Sequence, residues 1–195
     1  MTISKKSTLL IAVVAALSAI SVASASAAAL TYSATGTLAG KSLTGQTLTT
    51  SAGQVKCLGA QTTGSITSTN SSEQHITVNY KSCTALGFVD VDVSPATYLL
   101  TASGTAHLQG PITINVTSVA CHLTVSAQEL KPISYVNGTS GEPPKHTGRV
   151  KVTTNASGVS YTSTGGLCGA SGSNGTFTGT SELERLGGGS ITFDA

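Results

Sequence analysis

Asp90 and Asp92 are the residues of this chain whose type and spacing come closest to chemistry. They alternate with Val89, Val91 and Val93, so in a strand both carboxylates leave one face, about 7 Å apart. Such a pair suits two chemistries. Hard cations such as calcium collect carboxylate oxygens, and glycosidases flank the scissile bond with two acids. The plainer reading is a solvated strand face opposite three valines, and it is preferred. Asp90 and Asp92 are therefore weak metal candidates, and no catalytic residue is assigned.

The other reactive side chains are scattered. His75, His107, His122 and His146 lie far apart, with no His-x-His or His-x-x-x-His spacing to converge on zinc. Cys121 and His122 are neighbours in a strand pattern and so face opposite sides. Gly169-Ala170-Ser171-Gly172-Ser173 misses the Gly-x-Ser-x-Gly nucleophile elbow by one residue. No Gly-rich phosphate loop with its Lys and Ser/Thr occurs. The chain has no Trp, five Tyr and three Phe, too few for a flat sugar platform, and Tyr80, Phe88, Phe177 and Phe193 fit core positions. The expectation is a protein that is not an enzyme and takes no cofactor.

The elements that would position these residues are strands. Ile76, Val78 and Tyr80 alternate with His75, Thr77 and Asn79. Ile112, Ile114 and Val116 alternate with Thr113 and Asn115, and Cys121, Leu123 and Val125 with His122 and Thr124. Each pattern is a half-buried strand with one face to the core. Turn residues separate them, among them Gly110-Pro111, Asn137-Gly138, Gly165-Gly166 and Gly187-Gly188-Gly189. Ser and Thr make up 58 of 195 residues while 9% are charged, so hydroxyls carry the polarity and β-branched Thr favours strands. The fold class expected is all-β, an antiparallel β-sandwich with a β-barrel as the alternative.

The beginning of the chain places that fold outside the cytoplasm. Lys5 and Lys6 precede an uncharged apolar run from Leu9 to Ile20, and Ala25-Ser26-Ala27 offers a cleavage site. This is the layout of a secretory signal peptide. The run would span roughly 18 Å as a helix, short of a ~30 Å hydrocarbon core. Residues 1–27 are read as signal peptide and 28–195 as a single all-β domain, secreted, with no membrane span once matured. Without Lys5 and Lys6 the acidic and basic residues balance, and the remaining Lys and Arg are dispersed. Nucleic acid is not an expected partner, because phosphate binding needs clustered cations.

Cys57, Cys83, Cys121 and Cys168 are an even set in an exported chain, and disulfides are the expected state. No Cys-x-x-Cys points to redox or zinc chemistry. Three pairings are open. Cys57–Cys83 with Cys121–Cys168 closes the shortest loops and is preferred.

Several stretches resemble a family of uncharacterised small secreted β-proteins of soil bacteria. They are Thr50-Ser51-Ala52-Gly53-Gln54-Val55-Lys56-Cys57, Tyr80-Lys81-Ser82-Cys83-Thr84-Ala85-Leu86-Gly87-Phe88, Cys121-His122-Leu123-Thr124-Val125, and Gly158-Val159-Ser160-Tyr161 through Gly166-Leu167-Cys168-Gly169 to Ser173-Asn174-Gly175-Thr176. Members of that family carry two further cysteines in the middle third, where this chain reads Pro95-Ala96-Thr97-Tyr98 and Leu108-Gln109-Gly110-Pro111. Joint absence is what loss of a bonded pair would leave, so the resemblance supports the sequential pairing. It implies no activity. The functional expectation is an exported non-enzymatic β-domain, structural or adhesive, with cell-wall or surface components as partners. The alternative is a secreted module binding a glycan or a small apolar molecule.

Overall fold

The computed structural model describes residues 28–138, 148–165 and 168–194; the expected signal peptide and His146 lie outside them. In chain order, β1 (Ala29–Tyr32) is followed by strands that group into eight staves. The first stave is β2 (Gly36–Ser42) with β3 (Gln46–Thr50), and the second is β4 (Gly53–Ile66). After the short β5 (Asn70–Ser71), β6 (Glu73–Ala85) is the third. The fourth is β7 (Val89–Asp90), β8 (Asp92–Val93) and β9 (Ala96–Thr101), and the fifth β10 (Thr105–Leu108) with β11 (Ile112–Val116). A 3-10 turn, Thr117–Val119, leads to the sixth: β12 (Cys121–Val125), β13 (Glu129–Leu130) and β14 (Ile133–Asn137). The seventh is β15 (Val150–Thr164), the eighth β16 (Gly172–Arg185), and β17 (Ile191–Asp194) follows.

Each stave pairs antiparallel with the next, and the register carries the circuit round. Cys57 lies opposite Cys83, Gln74 opposite Leu100, Leu108 opposite Tyr98, Ile114 opposite Leu123, and Val125 opposite Tyr161. The eighth stave then returns to the first, with Phe177 opposite Leu48 and Leu183 opposite Gly40. The expected all-β, antiparallel, disulfide-bonded fold is present, and of the two architectures the closed circuit is the barrel. Among the described residues, closure leaves no long sheet edge unpaired.

Alternation decides which side chains fill it. Leu38, Leu48, Val55, Ile76, Tyr98, Leu108, Ile114, Leu123, Val152 and Val159 are buried, while most of their neighbours in the same strands are polar, Thr above all, and exposed or half-buried. The apolar sides face the lumen and the hydroxyls face outward, the inverse of a barrel that spans a membrane. No helix among the described residues is long and apolar enough to cross one.

The two ends differ. At one, β1 pairs with β17 and β5 and lies across the opening, burying Leu30, Tyr32 and Ile191. Tyr32 donates to Gln74 Oε1 at 2.9 Å, Phe193 stacks on Tyr135 at 4.8 Å, and Asn137 bonds both backbone polar groups of Phe193. This is the capped end. The other end is a rim of turns at Ser51-Ala52, Leu86–Phe88, Thr117–Ala120 and the segment before β16. Both disulfides lie in the rim half: Cys57–Cys83 joins the second and third staves, and Cys121–Cys168 ties the last turn to the sixth. The sequential pairing preferred from the sequence is the one observed.

Candidate functional site

Two places combine polar and apolar groups. The first is on the rim. The turn between β6 and β7 puts Leu86 and Gly87 at positive φ (53° and 84°), where glycine is at ease and leucine is not. That turn throws Phe88 outward. Expected in the core, Phe88 is instead 79% exposed, and Leu86 is 60% exposed. The strand pattern already held the reason: Phe88 shares its parity with Asp90 and Asp92, not with the valines.

Asp90 and Asp92 are exposed on the outer face, with Val91 buried between them. Asp90 lies opposite Thr84 on the third stave and Asp92 opposite Asn115 on the fifth. They share an open cleft of about 490 Å³ with Phe88, Thr117 and Ser118. Among the described residues no three metal-ligating side chains come together, so the pair has no third protein ligand there. The histidines stay apart: His122 Nδ1 meets Asn115 Oδ1 at 2.7 Å, His107 faces Glu129 at 3.8 Å, and His75 is exposed on another stave. Ser171, centre of the near-miss elbow, accepts a hydrogen bond from the Ser163 backbone N–H, as a turn residue does.

The second place is the lumen. Cavities of about 40 and 50 Å³ sit above and below a belt of Gln46, Tyr80, Tyr98, Leu130 and Phe177, which line both. The belt is polar at two points. The Tyr80 and Tyr98 hydroxyls meet at 2.6 Å, and whichever donates, the other O–H has no acceptor among the described residues. Tyr80 is half-buried and lines both cavities. Gln46 is 7% exposed, and a Cβ on Gly179 would collide with its amide, so only glycine lets it lie there. Sequence reading missed Gln46, although it shares parity with Leu48 on an inward-facing strand.

Burial governs the tyrosines. It pushes Tyr98 up to about 12, and Tyr80 rises well above the usual tyrosine range through burial, the Tyr98 charge and their hydrogen bond. At the capped end burial pushes Tyr32 up to about 12, and burial with the Tyr32 charge raises Tyr135 further. Between about pH 10 and 12 the folded protein keeps protons that the unfolded chain releases, so stability present below about pH 10 falls as pH rises. Urea midpoints should therefore hold level to about pH 9 and drop steeply above 10. Tyr98→Phe should make the drop shallower, and an unchanged slope in that variant would contradict the assignment.

No family model matches the chain, and neither a curated protein nor a solved structure is significantly similar to it. The class of protein is thus set by the fold itself: a closed, disulfide-bonded, antiparallel barrel with a polar exterior.

Proposed function

We propose that this protein is an exported, non-enzymatic β-barrel that adheres to surface polysaccharide through its rim. The observation that carries this reading is Phe88, an aromatic ring held 79% exposed on a tight turn beside two carboxylates and two hydroxyls. Exposing a ring of that size is unfavourable by about 1.5–3 kcal/mol relative to burying it, and a function explains its position better than packing does. A sugar ring presents C–H groups on one face and hydroxyls at its edge. Phe88 meets the first, while Asp90 and Asp92 accept from the second and Thr117 and Ser118 do either. Carboxylates in this cleft have hydroxyl and apolar neighbours, a setting for hydrogen bonding to a neutral glycan. Cell-wall or surface glycan is the partner class that suits secretion.

The test is retention on insoluble cell-wall polysaccharide. Phe88→Ala should lower the bound fraction about tenfold, equivalent to about 1.4 kcal/mol, with the melting temperature unchanged because the side chain packs little. Asp90→Asn with Asp92→Asn should weaken retention without abolishing it. Failure of the unmodified protein to bind any wall polysaccharide, or equal binding by the Phe88 variant, would overturn the reading.

A further inference from the structure

The lumen holds polar groups that the barrel itself leaves unsatisfied. The Gln46 Nε2 contacts, to the Thr44 and Thr180 carbonyls and to Ser181 Oγ, are all 3.4 Å long, against about 2.9–3.0 Å for a good N–H···O bond. Its Oε1 accepts no hydrogen bond among the described residues, although the side chain is 7% exposed. Thr62, 3% exposed on the lower cavity wall, makes no side-chain hydrogen bond among the described residues either. One tyrosine O–H of the Tyr80–Tyr98 pair is likewise free to donate. Buried polar groups are paired in the great majority of proteins, because leaving one unpaired is unfavourable. Gln46 and the tyrosine pair line both cavities, and Thr62 lines the lower one.

We infer that the lumen is a binding site for a small neutral alcohol, its hydroxyl seated at the Gln46–Tyr80–Tyr98 belt and its hydrocarbon part in the flanking apolar cavity. The chemistry of the wall selects this class. No Asp, Glu, Lys, Arg or His lines either cavity among the described residues, so an ionic head would be buried without a counter-charge. A ketone or ether accepts from the tyrosine but gives Gln46 Oε1 nothing. A hydroxyl carries both a donor and an acceptor.

Size limits the ligand. Each cavity is several times the roughly 10–15 Å³ that one water needs, which admits a handful of non-hydrogen atoms. The upper cavity is walled by Leu48, Val55, Leu108, Ile112, Ile114 and Val125, suited to an alkyl chain. A third cavity of about 50 Å³, under Leu86 and Val119 at the rim, shares Val55 with it. This site is inside the barrel and stands apart from the rim face proposed above.

The experiment titrates the full secreted chain with 1-propanol, acetone and propane, read by tyrosine emission, since there is no Trp, and by calorimetry. Saturable binding in the order 1-propanol, acetone, propane is expected, with at least a tenfold step between the alcohol and the ketone. Gln46→Leu should erase that step while leaving propane binding intact or tighter. Thr62→Val, close in shape, serves if the Gln46 variant does not fold and should weaken 1-propanol alone. No saturable binding of 1-propanol, equal binding of all three probes, or an alcohol preference that survives Gln46→Leu would overturn the inference. None of these results depends on polysaccharide retention.

Discussion

Removing the Cys121–Cys168 bridge is expected to lower the unfolding free energy by roughly 4 kcal/mol, and removing Cys57–Cys83 by roughly 3.5 kcal/mol. The bridges span 47 and 26 residues of chain, and in the chain-entropy account each restricts the unfolded ensemble by an amount that grows with the closed loop. Both losses together approach the whole stability of an ordinary domain, about 5–15 kcal/mol. The two should differ in character. Cys57 and Cys83 are both buried and directly opposite on paired staves, so alanine there loosens a seam that its ladder hydrogen bonds still hold. Cys168 precedes a turn where Gly169 lies against the Ala52 backbone and Ser51 Oγ donates to the Ala170 carbonyl at 2.9 Å. Its loss should free the rim locally before the barrel unfolds. Urea unfolding of Cys121→Ala/Cys168→Ala and Cys57→Ala/Cys83→Ala would measure the losses, and hydrogen exchange near Ser51 and Ala170 would show the local opening. Variants within 1 kcal/mol of the parent would mean that the bridges constrain little.

Most of the strand content was legible because alternation is a local property. Ile112-Thr113-Ile114-Asn115-Val116 and Cys121-His122-Leu123-Thr124-Val125 read as half-buried strands and pair with each other, residue for residue. Closure was not legible. It rests on the eighth stave meeting the first, with Glu182 opposite Lys41 and Thr178 opposite Thr47. Both a sandwich and a barrel demand the same period of two from those segments, so nothing local separates them. The bends that let one stave serve two neighbours are also quiet in sequence. Val159 and Gly175 follow a register shift at Gly158, whose φ is 73°; a Ser-Gly pair inside a strand pattern reads equally well as a turn.

Sites were legible to different degrees for a related reason. Asp90 and Asp92 stood out by type, and the structure keeps them exposed on one outer face. Phe88 was placed in the core by its hydrophobicity, when its position in the alternation put it with the two aspartates. Gln46 and Thr62 were overlooked because Gln and Thr are commonplace on the outside of such strands. Only parity with Leu48 and Ala60 shows that they point inward, and parity becomes informative once the register is known.

Arg149→Ala is expected to destabilise the barrel by about 3 kcal/mol, far more than an ordinary surface change. Glu182 is 3% exposed, and the Arg149 guanidinium bonds its Oε1 at 2.7 Å while reaching Glu184 Oε2 at 2.6 Å. Glu182 also lies directly between Lys41 and Lys151 in the register of three staves. Withdrawing the guanidinium removes one bonded cation from a carboxylate that water barely reaches, and the weaker compensation of its charge costs stability. Glu184 is far more open to solvent, so Glu184→Gln should cost under about 1 kcal/mol. The decisive comparison is the double variant Arg149→Met/Glu182→Leu. If the penalty comes from the weaker compensation of the Glu182 charge, replacing both partners with apolar groups should recover most of the loss. If it comes from lost contacts alone, the double variant should be worse than either single change. Urea midpoints for the four proteins separate the two accounts, and a loss below about 1 kcal/mol for Arg149→Ala would place this pair with the ordinary surface ones.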